Sequence, residues 1–272
     1  MRIRIEHTTT FTYDSLISEA YTEMRLAPLD LGGQRRVLFH LQTEPEGEVT
    51  RYLDRYDNEV HYFDVLQPHQ QFRVTAVSEV LTEDRYRDDT RELSPLASHD
   101  YLVATPYTPE DETLQALAGP ALFGAAMSGD AAVAAARELM HEVNRAIRYE
   151  KGATTVKTTA AEALTIGRGV CQDYAHVMIA AARSAGLPAR YVSGYLHSPD
   201  APEMASHAWV DVFVRGVGWF SLDPTHDCAQ DARHVRVAVG RDYADVPPTR
   251  GVYKGKAEEK MDVVVSVLVV DS

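Results

Sequence analysis

The hydrophobic period of this chain changes twice, and those changes restrict its fold more than any other feature. Over about the first eighty residues, apolar side chains recur at alternate positions, as in "MRIRIEHTTTFTY", "AYTEMRLAPL", "RVLFHLQTEP" and "HQQFRVTAVSEVLTE". Such alternation gives half-buried strands. "VTRYLDRYDNEVHYFDVLQ" adds a hairpin-like turn at Asp57-Asn58. Several short strands with turns between them predict a β-sandwich. From about Pro109 the period becomes helical. "PEDETLQALAG" and "GDAAVAAARELMHEVNRAIRYE" read as helices, the second with Asp130 as its expected cap, and "TTAAEALTIGRG" opens on a Thr159–Glu162 capping box. After a further helix, "RGVCQDYAHVMIAAARSAGLP", alternation returns in "ARYVSGYL", "HAWVDVFV", "GWFSLDPT" and "KMDVVVSVLVV". Helices followed by antiparallel-looking strands predict an α+β domain. The polar run "DRYRDDTRELSP", Asp84 to Pro95, reads as a linker and not as a source of acid/base aspartates. The expected division is residues 1–85 for the β-sandwich and 86–272 for the α+β domain.

A chain of 272 residues that is 45% hydrophobic can bury a substantial core. Its net charge of −13 argues against nucleic acid or an anionic membrane as partner. No apolar stretch approaches the roughly 18 residues of a membrane span. The N-terminal alternation lacks the continuous apolar core of a signal peptide, and two cysteines make no disulfide framework. A reducing cytoplasm is expected, with Cys171 and Cys228 unpaired.

Cys171 opens its helix directly after a glycine-containing turn, and Gly186 with Pro188 closes that helix. Cys171, Ala175, Met178, Ile179 and Ala182 recur at helical spacing and define a buried face. A thiol at a helix N-terminus meets the positive end of the macrodipole, which favours thiolate. Taken alone, it is more simply a small core residue.

Thiol chemistry needs a base and a group that orients the base. His207, at the start of "HAWVDVFV", and Asp223, at the end of "GWFSLD", supply them if the two strands are antiparallel neighbours with the helix N-terminus packed against them. The carboxylate is expected on the imidazole Nδ1–H, leaving Nε2 for sulfur. His176, His197 and His226 compete for the role of base. His176 lies five residues after Cys171, about 500° round the helix, and so points away from it. Asp223 in "DPTH" has the plainer reading of a turn starter. The Cys171 N–H is the expected first oxyanion donor, with Gln172 and Tyr195 near enough to consider as a second.

These residues resemble a known family. "GRGVCQDYAHVMIAAARSAGLPARYVSGYL" and "SHAWVDVFVRGVGWFSLDPTH" are similar to the transglutaminase-like superfamily of papain-type cysteine enzymes. The likeness lies in the G-x-C-x-[DE] turn, the G-[IL]-P-A-R helix end, the V-x-G-Y strand, the H-A-W strand and the W-x-x-L-D-P-T segment. Upstream, "IRYEKGATTVKTTAAEAL" resembles the same domain's lead-in. "EHTTTFTYDSLISEAYTEMRLAPL" resembles the β-rich N-terminal region of bacterial transglutaminase-like cysteine proteases, and "GRDYADVPPTRGVYKG" their C-terminal loop.

The resemblance implies a papain-like core with Cys171 as nucleophile, His207 as general base and acid, and Asp223 orienting the histidine. It implies a peptide or amide substrate and a thiol-dependent amide hydrolase, with amine transfer as the alternative. The likeness to animal transglutaminases is confined to the core motifs, and no acidic cluster suggests their calcium loops. No cofactor and no metal is expected. A binding module with a vestigial triad is a weaker reading, because all three residues are intact. A zinc site from Cys171, His207, His226 and Cys228 is weaker still, since "HDC" comes without C-x-x-C or H-E-x-x-H spacing.

Overall fold

The structure is a computed structural model that describes residues 1–84, 92–124, 128–199 and 206–270. Residues 85–91 of the expected linker, with the paired Asp88 and Asp89, lie outside the described residues. The N-terminal region forms β1 (Arg2–Met24), β2 (Gln34–Glu44), β3 (Thr50–Leu53), β4 (Glu59–Val65) and β5 (His69–Thr82). Then come α1 (Pro95–Asp100), α2 (Glu112–Gly124), α3 (Gly129–Ala146), β6 (Arg148–Tyr149), α4 (Ala160–Ile166), β7 (Arg168–Gly169) and α5 (Cys171–Ser184). The remainder is β8 (Ala189–Leu196), β9 (His207–Val214), β10 (Gly218–Asp223), β11 (Cys228–Ala229), β12 (His234–Gly240), β13 (Thr249–Lys254) and β14 (Glu259–Val269).

The first sheet runs β2-β5-β1-β4-β3, with β13 and β14 also paired to β1. Sequence divides β1 into two strands, "MRIRIEHTTTFTY" and "AYTEMRLAPL", but it is one strand of 23 residues. Asp14, Ser15 and Leu16 are exposed in succession and break the alternation, and the pairing register shifts between Thr12 and Ile17. The first half of β1 pairs with β5 and β14, and the second half pairs with β4 and β13. Side chains from both halves close over one apolar cluster. In it Phe72 stacks on Phe11 (centroids 4.4 Å apart) and meets Phe63 edge-on (6.0 Å). This is the expected sandwich, built around one bent strand. Its composition differs from expectation: β13 and β14, assigned from sequence to the second domain, hydrogen bond to β1.

The second sheet is antiparallel, in the order β11-β10-β9-β8-β12. Ala208, Val210, Val212 and Val214 of β9 join Leu222 and Val235 in a core shared with the helices. α5 is packed by α2, α3, α4, β8 and β9, so every residue from Gln172 to Arg183 is buried and not just one stripe. That core also takes in Ile3, Ile5, Val80, Val265 and Val267 of the first sheet. Two amides fasten the sheets together at β12. Gln34 bonds to both the N–H and the C=O of Arg236, and Asn58 does the same to Val239.

Of two local expectations at helix starts, one holds and one differs. The Thr159–Glu162 capping box is present on α4. On α3, however, the cap position is Ser128, and Asp130 sits inside the first turn, where its charge still suits the helix dipole.

Candidate active site

The end of the sheet where β9 begins is also where α5 begins. Gly186 and Pro188 return the chain from α5 into β8, which therefore runs back along the helix. A 14-residue helix is about 21 Å long, close to the ~20 Å covered by the first six or seven residues of a strand. Gly194, near the end of β8, pairs with His207, so the length match brings Cys171 to the first residue of β9.

The turn before the helix is built for close approach. Gly167 ends α4 in the left-handed region (φ 66°). A Cβ on Gly169 would lie 2.5 Å from Asp173 Oδ2, so only glycine lets that carboxylate fold back. Asp173 accepts the Val170 N–H (2.7 Å) and the Thr154 hydroxyl (2.7 Å), fixing the first turn of α5. Burial pushes its carboxyl pKa up. It serves as the helix's capping group and does not touch His207's partner.

His207 Nε2 lies 2.8 Å from Asp223 Oδ2, and both side chains are buried. The expected ring orientation is reversed, since Nε2 and not Nδ1 meets the carboxylate. Nδ1 sits closer to the main chain and is not taken by the carboxylate, and the half-buried Cys171 is near enough to His207 to contribute to its pKa. By strand alternation His207 shares a face with Trp209 and Asp211, away from the core face of β9. It reaches sulfur because it is the strand's first residue, at the sheet's end. Burial opposes charge on His207, but the Asp223 carboxylate and then the Cys171 sulfur outweigh it and push its pKa up to about 10. Burial likewise opposes charge on Asp223, and His207, His226 and His234 overcome it, holding the carboxyl well below the usual range.

Asp223 has more partners than sequence suggests. Oδ1 accepts the N–H groups of Thr225 (3.0 Å) and His226 (3.3 Å). Oδ2 faces His226 Nδ1 (2.8 Å) and His234 Nε2 (3.2 Å) as well as His207. His226 is thus a second partner of the carboxylate. His234 went unnoticed in the sequence, as did Tyr149, held beside Gly169 by the β6–β7 pair and near enough to Cys171 to feel its charge.

The other candidates fall elsewhere. His176 is a core residue: Nε2 accepts the Tyr243 N–H (3.2 Å), the ring lies between Tyr107 and Tyr191, and burial lowers its pKa to about 3. His197 Nδ1 faces the Val267 carbonyl. Gln172 donates to the Val156 carbonyl (3.1 Å), and the Tyr195 hydroxyl is bound to His7 (2.9 Å), so each side chain is held by another partner. The Cys171 N–H, first in its helix, has no intrahelical acceptor. Cys171 and Cys228 are both free thiols.

Among the described residues, two donor groups are compact enough for a metal ion: His207, Asp223 and His226, and Asp223, Cys228 and His234. Neither is the set drawn from sequence, and Asp223 belongs to both. Every imidazole in these groups already lies at hydrogen-bond distance from Asp223 Oδ2, so protons account for the arrangement.

Fold and site together define an α+β cysteine-histidine-aspartate protein with a helix-terminal thiol. The transglutaminase-like superfamily core matches residues 124–224, and the bacterial transglutaminase-like N-terminal region matches residues 3–81. An uncharacterised protein of Mycobacterium leprae is 36% identical over 280 residues, covering 98% of each chain. The chain belongs to the transglutaminase-like superfamily. A solved structure, a candidate cysteine protease from Cytophaga hutchinsonii, superposes with a TM-score of 0.78 at 22% identity, covering 100% of this chain and 92% of that one. A protein-glutamine gamma-glutamyltransferase of Pseudomonas aeruginosa is 37% identical over 71 residues, 23% of this chain and 11% of its own.

Proposed function

We propose that this protein is a thiol-dependent amide hydrolase that works through Cys171, His207 and Asp223 and a thioester intermediate. The observation that carries the reading is the His207–Asp223 bond of 2.8 Å at the point where α5 presents Cys171. A histidine whose pKa lies near 10 keeps its proton at neutral pH and can give it to a departing amine. The Cys171 sulfur attacks the amide carbonyl and forms the C–S bond. The C–N bond breaks as His207 Nδ1 protonates the nitrogen. Asp223, on Nε2–H, holds the ring and stabilises its positive charge throughout. The now neutral His207 takes a proton from water, whose oxygen attacks the thioester, and the C–S bond breaks to release the acid and restore the Cys171 thiolate beside protonated His207.

An amine could take the place of water in the last step, and the same residues would serve. The partial likeness to a named glutamyltransferase is the reason to test that acceptor. Hydrolysis is the favoured reading because Cys171 is only half-buried, which leaves the thiol open to water. The two free thiols suit a reducing compartment, and we extend the proposal to a cytoplasmic location.

The test is a peptide and glutamine-donor library, scored for released acid, ammonia and amine conjugates, with wild type against Cys171→Ala. Acid or ammonia released only by the wild type is expected. Conjugates formed in preference to acid would make it a transamidase. No turnover of any member, together with a Cys171 thiol no more reactive than free cysteine, would leave the binding-module reading in its place.

A further inference from the structure

One imidazole is enough to make Asp223 an orienting group, yet three reach the same oxygen. The extra two are not equivalent. His226 is 39% exposed, so water can replace its bond, whereas the side chain of His234 is fully buried. The His234 ring is also held at both nitrogens and against an aromatic neighbour. Nε2 is 3.2 Å from Asp223 Oδ2, Nδ1 is 3.2 Å from both the N–H and Oδ1 of Asp231, and the ring stands against Trp209 (5.2 Å, 70°).

These contacts determine where its proton sits. If Nδ1 accepts the Asp231 N–H, the neutral ring carries its hydrogen on Nε2. If the ring is charged, both nitrogens carry one. The remaining tautomer would turn an Nε2 lone pair on a carboxylate 3.2 Å away, with two acceptors facing each other. Both favourable forms present Nε2–H to Asp223.

We propose that His234 is a positioning residue of this site, a permanent second donor to Asp223 Oδ2 that fixes the carboxylate and moderates its hold on the His207 proton. The inference rests on the acyl-transfer reading above. In that reaction His207 must both keep a proton and release it to nitrogen. A buried carboxylate stripped of one donor would bind the imidazolium more firmly and make it a poorer acid. The charged or titratable neighbours of His207 are Asp223, Cys171, His226 (ring centroids 5.0 Å apart) and His234 (6.1 Å). Those of His234 are Asp223 and Asp231, the latter paired with Arg233, and Cys228 lies close to the same carboxylate.

The experiment needs no substrate. The protonation midpoint of His207 is read by NMR of isotope-labelled histidine in a Cys171→Ala background, where the thiolate's influence is gone. His234→Phe fills the site without a donor, and His234→Gln returns an N–H near the position of Nε2. His234→Phe is expected to raise the His207 midpoint by about one pH unit, a tenfold tighter proton, and His234→Gln to bring it back toward the parent. A midpoint that does not move in His234→Phe, or moves equally in His234→Gln, would overturn the inference and leave His234 a packing residue. Iodoacetamide labelling of Cys171 in wild type against His207→Ala tests the underlying reading separately. Equal rates there would refute the triad itself, whatever His234 does.

Discussion

Replacing Asp211 by Asn should destabilise the protein more than any other change that adds or removes no heavy atom on the polar face of the second sheet. Asp211 is fully buried on β9. It binds both terminal nitrogens of Arg236, the Nε of Arg190 (2.8 Å) and the Ser221 hydroxyl (2.7 Å). Arg236 is itself fully buried, so Asp211→Asn puts a neutral amide, with an N–H, where the guanidinium now meets the Asp211 carboxylate. Breaking a buried pair from one side costs about 3–5 kcal/mol, a large share of the roughly 5–15 kcal/mol that holds a typical domain folded. The sign with pH follows from the direction of the Asp211 shift. Burial opposes its charge, but Arg236 and Arg190 prevail and depress its pKa far below the usual carboxylate value. Its stabilising effect is therefore complete above the unfolded-state pKa of about 4 and fades only in strong acid, as pH falls through the depressed folded-state value. Urea unfolding followed by fluorescence suits this site, since the chain's only two tryptophans flank it: Trp209 against Arg236 (5.6 Å) and Trp219 under Arg190 (4.0 Å). The midpoint should drop by on the order of 1 M urea or more, with the same gap at pH 8 and pH 5. A gap of less than about 0.3 M, or one that changes markedly between those two pH values, would refute the reasoning. Gln230, already bonded to Arg236, would then be the acceptor that takes over.

Two further outcomes follow from the site. Limiting iodoacetamide near neutral pH should label Cys171 and spare Cys228, whose thiol is pushed up to about 11 by burial and then by Asp223 and Asp231; mass spectrometry of the digest checks this, and label found mainly on Cys228 would remove the basis for the proposed nucleophile. On whichever library substrate the wild type turns over, Asp223→Asn should lower kcat by up to ~10⁴-fold without abolishing it, whereas Asp227→Asn, on the surface beside His141, should act like wild type and Asp173→Asn should chiefly cost ~1 kcal/mol of helix-cap stability.

What was legible in the sequence was local. The Cys171 turn, the α4 capping box and the strands that start at His207 and end at Asp223 are all marked by neighbouring residues, and the structure places them as read. What was not legible depends on partners far along the chain. β14 looks like a strand in the sequence and β13 falls in a segment that reads as a loop, and nothing there says that both return to β1. The same limit hid His234. "HVRVAV" alternates polar and apolar residues, and such a pattern ordinarily means one face in the core and one in water. Here both faces of β12 are buried, and the polar one is matched by carboxylates on other strands: Asp211 for Arg236 and Asp223 for His234. Those pairs lie 25 and 11 residues apart in the chain, so no local spacing rule reveals them. The buried polar face also gives the site its rigidity. Trp209 is wedged between the two systems, against Arg236 on one side and against His207 and His234 on another. Across the sheet, Gly194 leaves it no slack, since a Cβ there would lie 2.7 Å from the indole and 2.1 Å from the Val235 carbonyl. Imidazoles held against so closely packed a ring have little freedom to turn away from Asp223.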